Sequence, residues 1–153
     1  MSDLSEGMPA PAVTLPRDGG ETVNMADLTG PVVLYFYPKD DTPGCTKEAI
    51  GFTEALEGFA ASGATVLGVS KDTVAKHEKF VTKHGLKIAL LSDADGDVCE
   101  RYGTWVEKQM YGKTYFGVER ATFLIADGKI AKMWRKVKVP GHVDAVLDAV
   151  RAL

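Results

Sequence analysis

The run Pro38-Lys39-Asp40-Asp41-Thr42-Pro43-Gly44-Cys45 sets a cysteine just after a threonine that suits a helix N-cap and a proline that suits the first helical position. A cysteine so placed lies in the first turn, where unpaired backbone N–H groups and the positive end of the helix dipole favour an anion. The thiolate, not the thiol, is the nucleophile, so this placement gives Cys45 a physical route to reactivity. Pro38, Pro43 and Gly44 constrain a loop that must come close to the sulfur and to whatever it attacks. The hydroxyl of Thr42 can both donate and accept, and so can align the O–O bond of a peroxide for attack by sulfur. The bland reading of Cys45 is a small residue in a well-capped helix; it accounts for the cap, but not for cap, loop and hydroxyl together.

The only other cysteine is Cys99, too distant in sequence for a CxxC redox pair or a zinc knuckle. Few cysteines, with an acidic and polar opening segment Met1–Glu6 where a secretory signal would be basic and then apolar, predict a reducing cytoplasm. The most apolar run, Val32 to Tyr37, is far shorter than the roughly 20 residues of a membrane-crossing helix and reads as a buried strand. The chain of 153 residues is long enough for one domain with a full core, and 45% hydrophobic with 25% charged residues is the balance of an ordinary globular protein. A net charge of -3 argues against a protein built to cover nucleic-acid phosphates.

The elements that must hold Cys45 are legible in outline. Val13, Leu15, the turn Asp18-Gly19-Gly20 and Val23 predict a small N-terminal hairpin. A core strand at Val32–Tyr37 leads into the helix that begins after Thr42, with Phe52, Leu56 and Phe59 on one stripe and Ser62-Gly63 at its end. A strand at Thr65–Val69 precedes a helix capped by Asp72 or Thr73, carrying Val74, His77 and Val81 and stopping at Gly85, and then a strand near Ile88–Leu91. Val98 to Trp105 reads as a short helix, and Glu107 to Glu119 as a long polar and aromatic loop bordering the site. Asp127-Gly128 closes a hairpin between Ala121–Ala126 and Lys129–Met133, and Val143, Val146, Leu147, Val150 and Leu153 stripe a final helix. This order predicts one α/β domain, residues 1–153, with a central mixed sheet and helices on both faces.

At the residues around Cys45 the sequence resembles the peroxiredoxins, in their bacterioferritin comigratory protein or peroxiredoxin Q branch. The resemblance rests on Tyr35-Phe36-Tyr37-Pro38-Lys39-Asp40, Thr42-Pro43-Gly44-Cys45-Thr46-Lys47-Glu48, Leu90-Leu91-Ser92-Asp93, Gly112-Lys113-Thr114-Tyr115 and Arg120-Ala121-Thr122-Phe123-Leu124-Ile125. It implies a thioredoxin-like fold and a thiol-dependent peroxidase that reduces hydrogen peroxide and organic hydroperoxides. Cys45 would be the nucleophile that becomes a sulfenic acid, Thr42 would hydrogen-bond the substrate, and Pro38 would shield the pocket. Arg120 would supply the stabilising cation, and Glu48 would hold that arginine. Without the resemblance, Arg120 reads as a surface strand arginine and Glu48 as an exposed helix carboxylate.

The branch often carries a second, resolving cysteine a little over one turn beyond the first, and here that position is Ile50. Resolution is then left to Cys99 or to an outside thiol, namely thioredoxin, glutaredoxin or a small thiol. Cys99 sits beside Val98 in a setting common for a buried, inert cysteine, and a disulfide needs Cα atoms within about 7 Å. The working expectation is a one-cysteine cycle in a monomer, with a dimer left open by the aromatic loop. The competing function is a redox sensor or binding module in which Cys45 is oxidised without turnover. Asp93-Ala94-Asp95-Gly96-Asp97 departs from a calcium loop at Val98 and Thr104 and reads as a turn and helix cap. His77 and His84 fall seven apart, too far for paired ligation, and His142 is expected to cap the last helix, so neither metal nor cofactor is predicted. The basic run Lys129, Lys132, Arg135, Lys136 and Lys138 reads as a solvated edge strand and not a nucleic-acid surface.

Overall fold

The computed structural model describes residues 4–153, so the first three residues of the acidic opening segment lie outside the described residues. The centre is a five-stranded sheet in the order β5-β4-β3-β8-β9. Strands β3 (Val32–Phe36), β4 (Thr65–Ser70) and β5 (Ala89–Ser92) are parallel, and β8 (Ala121–Ala126) and β9 (Lys129–Trp134) run antiparallel to one another, β8 also pairing antiparallel with β3. Every residue of β3 is buried because the strand is central and covered on both faces. Its alternation divides the core: Val32, Leu34 and Phe36 enter one cluster and Val33, Tyr35 and Tyr37 the other.

The two faces are unequal. On the Tyr35 side lie α1 (Pro43–Glu54), α2 (Leu56–Ala61), α3 (Val74–His84) and α5 (His142–Arg151), through Phe52, Phe59, Phe80, Val146 and Val150. On the Phe36 side the four-residue α4 (Val98–Arg101) packs with the N-terminal hairpin, β1 (Thr14–Pro16) paired with β2 (Thr22–Asn24). Helices thus flank both faces, as expected, but one face takes nearly all of them.

Three expectations need correction. The stripe Phe52, Leu56, Phe59 belongs to two helices, because the backbone leaves helical values at Ala55 (ψ 2°); both phenylalanines still reach the core, with rings 5.8 Å apart. The short helix ends at Arg101, not Trp105, and the expected loop is a second hairpin, β6 (Trp105–Met110) with β7 (Lys113–Val118). It eluded the alternation signal because it forms a separate two-stranded sheet, exposed over most of its length, so little burial imposes a pattern on it. Finally, His142 does not cap α5, whose N-cap is Gly141. Its buried ring turns inward to the Thr122 hydroxyl, Nε2 to Oγ1 2.7 Å, and burial, helped by the charge of Arg120, lowers its pKa to about 4.

Candidate active site

Cys45 is the third residue of α1, with Thr42 at the N-cap position and Pro43 leading the helix. The cap differs from expectation. Thr42 makes no side-chain bond to the helix, and its hydroxyl instead donates to the carbonyl of Lys39 at 2.9 Å. That donation uses the hydroxyl proton and leaves the oxygen lone pairs open to accept a hydrogen bond from a bound molecule. Pro38, half-buried, follows the end of β3 at the mouth of the same loop.

Across from the helix, Arg120 stands just before β8, the strand antiparallel to β3. One guanidinium nitrogen, Nη2, donates to Cys45 Sγ at 3.3 Å, and the other, Nη1, donates to Glu48 Oε1 at 2.7 Å. Glu48 lies one turn beyond Cys45 and is fully buried, so it is not the exposed carboxylate that its helical position suggested. Burial pushes its carboxyl up to about 7 against the opposing pull of Arg120. Its second oxygen, Oε2, has no hydrogen-bond partner among the described residues, consistent with that cost. Gly44 leaves room for the arginine: a Cβ there would stand 3.2 Å from Nη2, so the guanidinium would have to give by a few tenths of an ångström. The Arg120 main chain is fixed in turn, its carbonyl accepting from Val137 N at 2.9 Å. Neighbouring Glu119 donates its N–H to the Thr104 carbonyl and pairs with Arg135 at 2.8 Å.

Helix α1 therefore places the sulfur, the adjoining loop places the hydroxyl, and a residue 75 positions on in sequence brings the cation. The cation can stabilise a thiolate and the negative charge that develops on a leaving oxygen, while the hydroxyl oxygen can accept a hydrogen bond from a bound molecule. The structure does not bring Cys99 to this place. Cys45 is buried with Tyr35 and Phe52 on one side of the sheet, and Cys99 with Phe36 and Tyr102 on the other. With layers packed about 10 Å from a sheet on each side, that arrangement does not fit the 7 Å Cα limit of a disulfide.

A family model of the AhpC/TSA family matches residues 7–133. The chain belongs to that family. Within it the relatives are peroxiredoxins of the Bcp type. The chain is 53% identical over 146 residues to a Coxiella burnetii chain assigned to peroxiredoxin bcp, covering 94% of this chain and 97% of that one. It is 47% identical over 147 residues to Bacillus subtilis peroxiredoxin Bcp, covering 95% and 94% respectively. Among solved structures, the Xanthomonas campestris bacterioferritin comigratory protein, known from trapped intermediate and ligand complexes bearing on its alkyl peroxide reduction activity, superposes with a TM-score of 0.89 at 42% identity, covering 97% of this chain and 98% of that one. This peroxiredoxin accordingly has the thioredoxin-like fold that the resemblance implied.

Two features of the site escaped sequence reasoning. Lys108, on β6, donates to the carbonyl of Val118 at 2.6 Å and lies within electrostatic range of both Arg120 and Cys45. The other is the buried group formed by Tyr37, Asp40 and His77 beside the cysteine loop. The spacing of His77 and His84 was visible, but not that these two turns of α3 face the consecutive aspartates Asp40 and Asp41.

Proposed function

We propose that this thiol peroxidase reduces hydroperoxides at Cys45. The observation that carries the assignment is the Arg120 guanidinium joined at once to Glu48 and to the cysteine sulfur. The thiolate attacks the distal oxygen of ROOH, the O–O bond breaks with its electron pair going to RO⁻, and RO⁻ takes a proton to leave as water or an alcohol. Sulfur is oxidised to the sulfenic acid. Arg120 stabilises the thiolate beforehand and the departing oxygen during the step, and the free lone pairs of Thr42 accept the hydroperoxide O–H to align it. Pro38 limits water at the loop.

An outside thiol completes the cycle. Its sulfur attacks the sulfenic sulfur and water leaves, and a second thiol then releases Cys45 as a thiol with formation of the reductant's disulfide. The opposite-face position of Cys99 supports this one-cysteine cycle, with thioredoxin, glutaredoxin or a small thiol as donor. Cys45 is only 2% exposed, so a protein thiol has to gain access to a covered sulfur. A monomer is taken as the working unit, as the resemblance to the branch implies. Both cysteines are unpaired, which suits the reducing cytoplasm, and among the described residues no helix is long and apolar enough to cross a membrane.

Intact mass after one equivalent of hydrogen peroxide, with a sulfenic-acid trap and with Cys45→Ser and Cys99→Ser alongside, tests this assignment. Trapping at Cys45 far faster than at a free thiol, unchanged in Cys99→Ser and followed by many turnovers with added thiol, is expected. A Cys45 that reacts no faster than a simple thiol would overturn it.

A further inference from the structure

Between β3 and Cys45 the chain makes a loop whose shape is fixed by a buried group of side chains outside the chemistry described above. Asp40 is the centre. Its Oδ1 accepts from the Tyr37 hydroxyl at 2.5 Å, and its Oδ2 meets His77 Nδ1 at 2.6 Å. The other ring nitrogen, His77 Nε2, lies 2.9 Å from the carbonyl oxygen of Leu91. That oxygen can only accept, so Nε2 is the donor there, and Nδ1 and Asp40 Oδ2 lie within hydrogen-bonding distance of each other. The His77 side chain is fully buried and that of Asp40 is 5% exposed, so the pair is shielded from competing water. The main chain is held as well: Asp40 N–H donates to Asp72 Oδ2 at 2.8 Å, and that oxygen also accepts from the Ser70 hydroxyl at 2.7 Å.

The next residue shows why such holding is needed. Asp41 has φ 60°, in the left-handed region that an aspartate enters more readily than most side chains but still at a cost that local bonds must offset. Its carboxylate is gripped from α3 by Lys83 at 2.7 Å and by His84 at 2.9 Å. Two residues of one helix, seven apart, thus pin two consecutive aspartates, and the chain leaves this left-handed residue directly into Thr42 and the first turn that bears the sulfur.

We propose that His77, acting through Asp40, is a positioning residue for Cys45: the buried imidazole and carboxylate hold the loop against α3 and so set the direction in which α1 presents its sulfur to Arg120 and to the hydroperoxide. The proposal rests on Cys45 being the nucleophile. If the pair is lost, Asp41 relaxes toward negative φ, the hydroxyl of Thr42 and the sulfur lose their common alignment, and reactivity falls while Arg120 and Glu48 are intact.

The test compares His77→Leu, which removes both bonds, with His77→Asn, whose side-chain amide can still donate to Asp40 in place of Nδ1. For each, the second-order rate of Cys45 with hydrogen peroxide, the thermal midpoint and amide hydrogen exchange over residues 40–46 are measured. His77→Leu is expected to slow the peroxide reaction about tenfold or more and to speed exchange in the loop, whereas His77→Asn recovers to within about threefold of wild type even where its midpoint is lowered as much. A peroxide rate in His77→Leu equal to wild type, or rates that follow the thermal midpoint regardless of the retained donor, would overturn the proposal. Hydrogen exchange reads the loop without peroxide chemistry. A wild type that lacks fast peroxide reactivity would therefore sink the assignment of Cys45, while protected exchange lost in His77→Leu would still identify the clasp.

Discussion

Cys45 and Cys99 are placed alike and surrounded oppositely. Each lies in the first turn of a helix and each is buried, Cys45 at 2% exposure and Cys99 at none. Beside Cys45 the nearest charge is a cation, Arg120, donating to the sulfur. Beside Cys99 it is an anion: Asp93 accepts the Cys99 N–H at 2.8 Å and the Val98 N–H at 3.2 Å. Asp93 thereby takes over the unpaired donors of α4 that would otherwise have favoured a thiolate. Burial first and the Asp93 carboxylate second push the Cys99 thiol well up, and Lys71, paired to Asp93 at 3.1 Å, does not offset them. Two cysteines at helix N-termini thus sit in opposite electrostatic surroundings. The difference between them is the charge that tertiary structure brings to each sulfur.

The largest effect should separate the two cysteines outright. Cys45→Ser is expected to lower peroxide consumption by about a thousandfold or more, and Cys99→Ser to leave it within about twofold, in an assay with excess thiol reductant. Removing the cation alone comes next: Arg120→Met should slow the peroxide step about a hundredfold in single-turnover mass measurements. Arg120→Lys should recover only part, since an ammonium cannot bridge Glu48 and sulfur as the planar guanidinium does.

The reverse manipulation sharpens the comparison at Cys99. In a Cys45→Ser background, Asp93→Asn should raise the alkylation rate of Cys99 by iodoacetamide about threefold, and should cost about 1 kcal/mol of stability by chemical denaturation as the α4 cap weakens. An alkylation rate that did not move would break the claim that Asp93 silences this thiol.

The smallest effect concerns pH. Glu48 titrates at about 7 in the fold, above the ordinary 4.5, so below 7 it is protonated and its ion pair with Arg120 becomes a hydrogen bond from a cation to a neutral acid. The wild-type peroxide rate should show an inflection near pH 7, about two- to threefold in size, that Glu48→Gln lacks. Because the folded value is raised, the group contributes most to stability below pH 4.5, and that contribution is lost as pH rises through 7. Denaturation between those limits should therefore show a decline in the wild type that Glu48→Gln flattens.

Much of this molecule was legible in its sequence. The unbroken apolar run of the buried strand, the Asp127-Gly128 turn and the stop at Gly85, which takes φ 62°, are local: a few adjacent residues suffice to express them. The cysteine loop is local too, since Thr42, Pro43, Gly44 and Cys45 are consecutive, and the resemblance of that run carried Arg120 and Glu48 with it. The bond that Thr42 makes was not legible, because a hydroxyl near a helix start has both a cap and a preceding carbonyl within reach, and only the path of the loop chooses between them. The exposed hairpin β6–β7 was hidden because a strand that buries little of itself need not alternate.

The sequence by itself determined which groups are available: one cysteine in a constrained first turn, a hydroxyl three residues before it, and a mixed sheet to carry both. Tertiary structure alone decided which charges meet them. Asp40 meets His77 across 37 residues, Arg120 meets Cys45 across 75, and the sheet comes between the two cysteines. The physical reason is that electrostatic stabilisation depends on distance and burial in space, and neither is encoded in the spacing of residues along the chain.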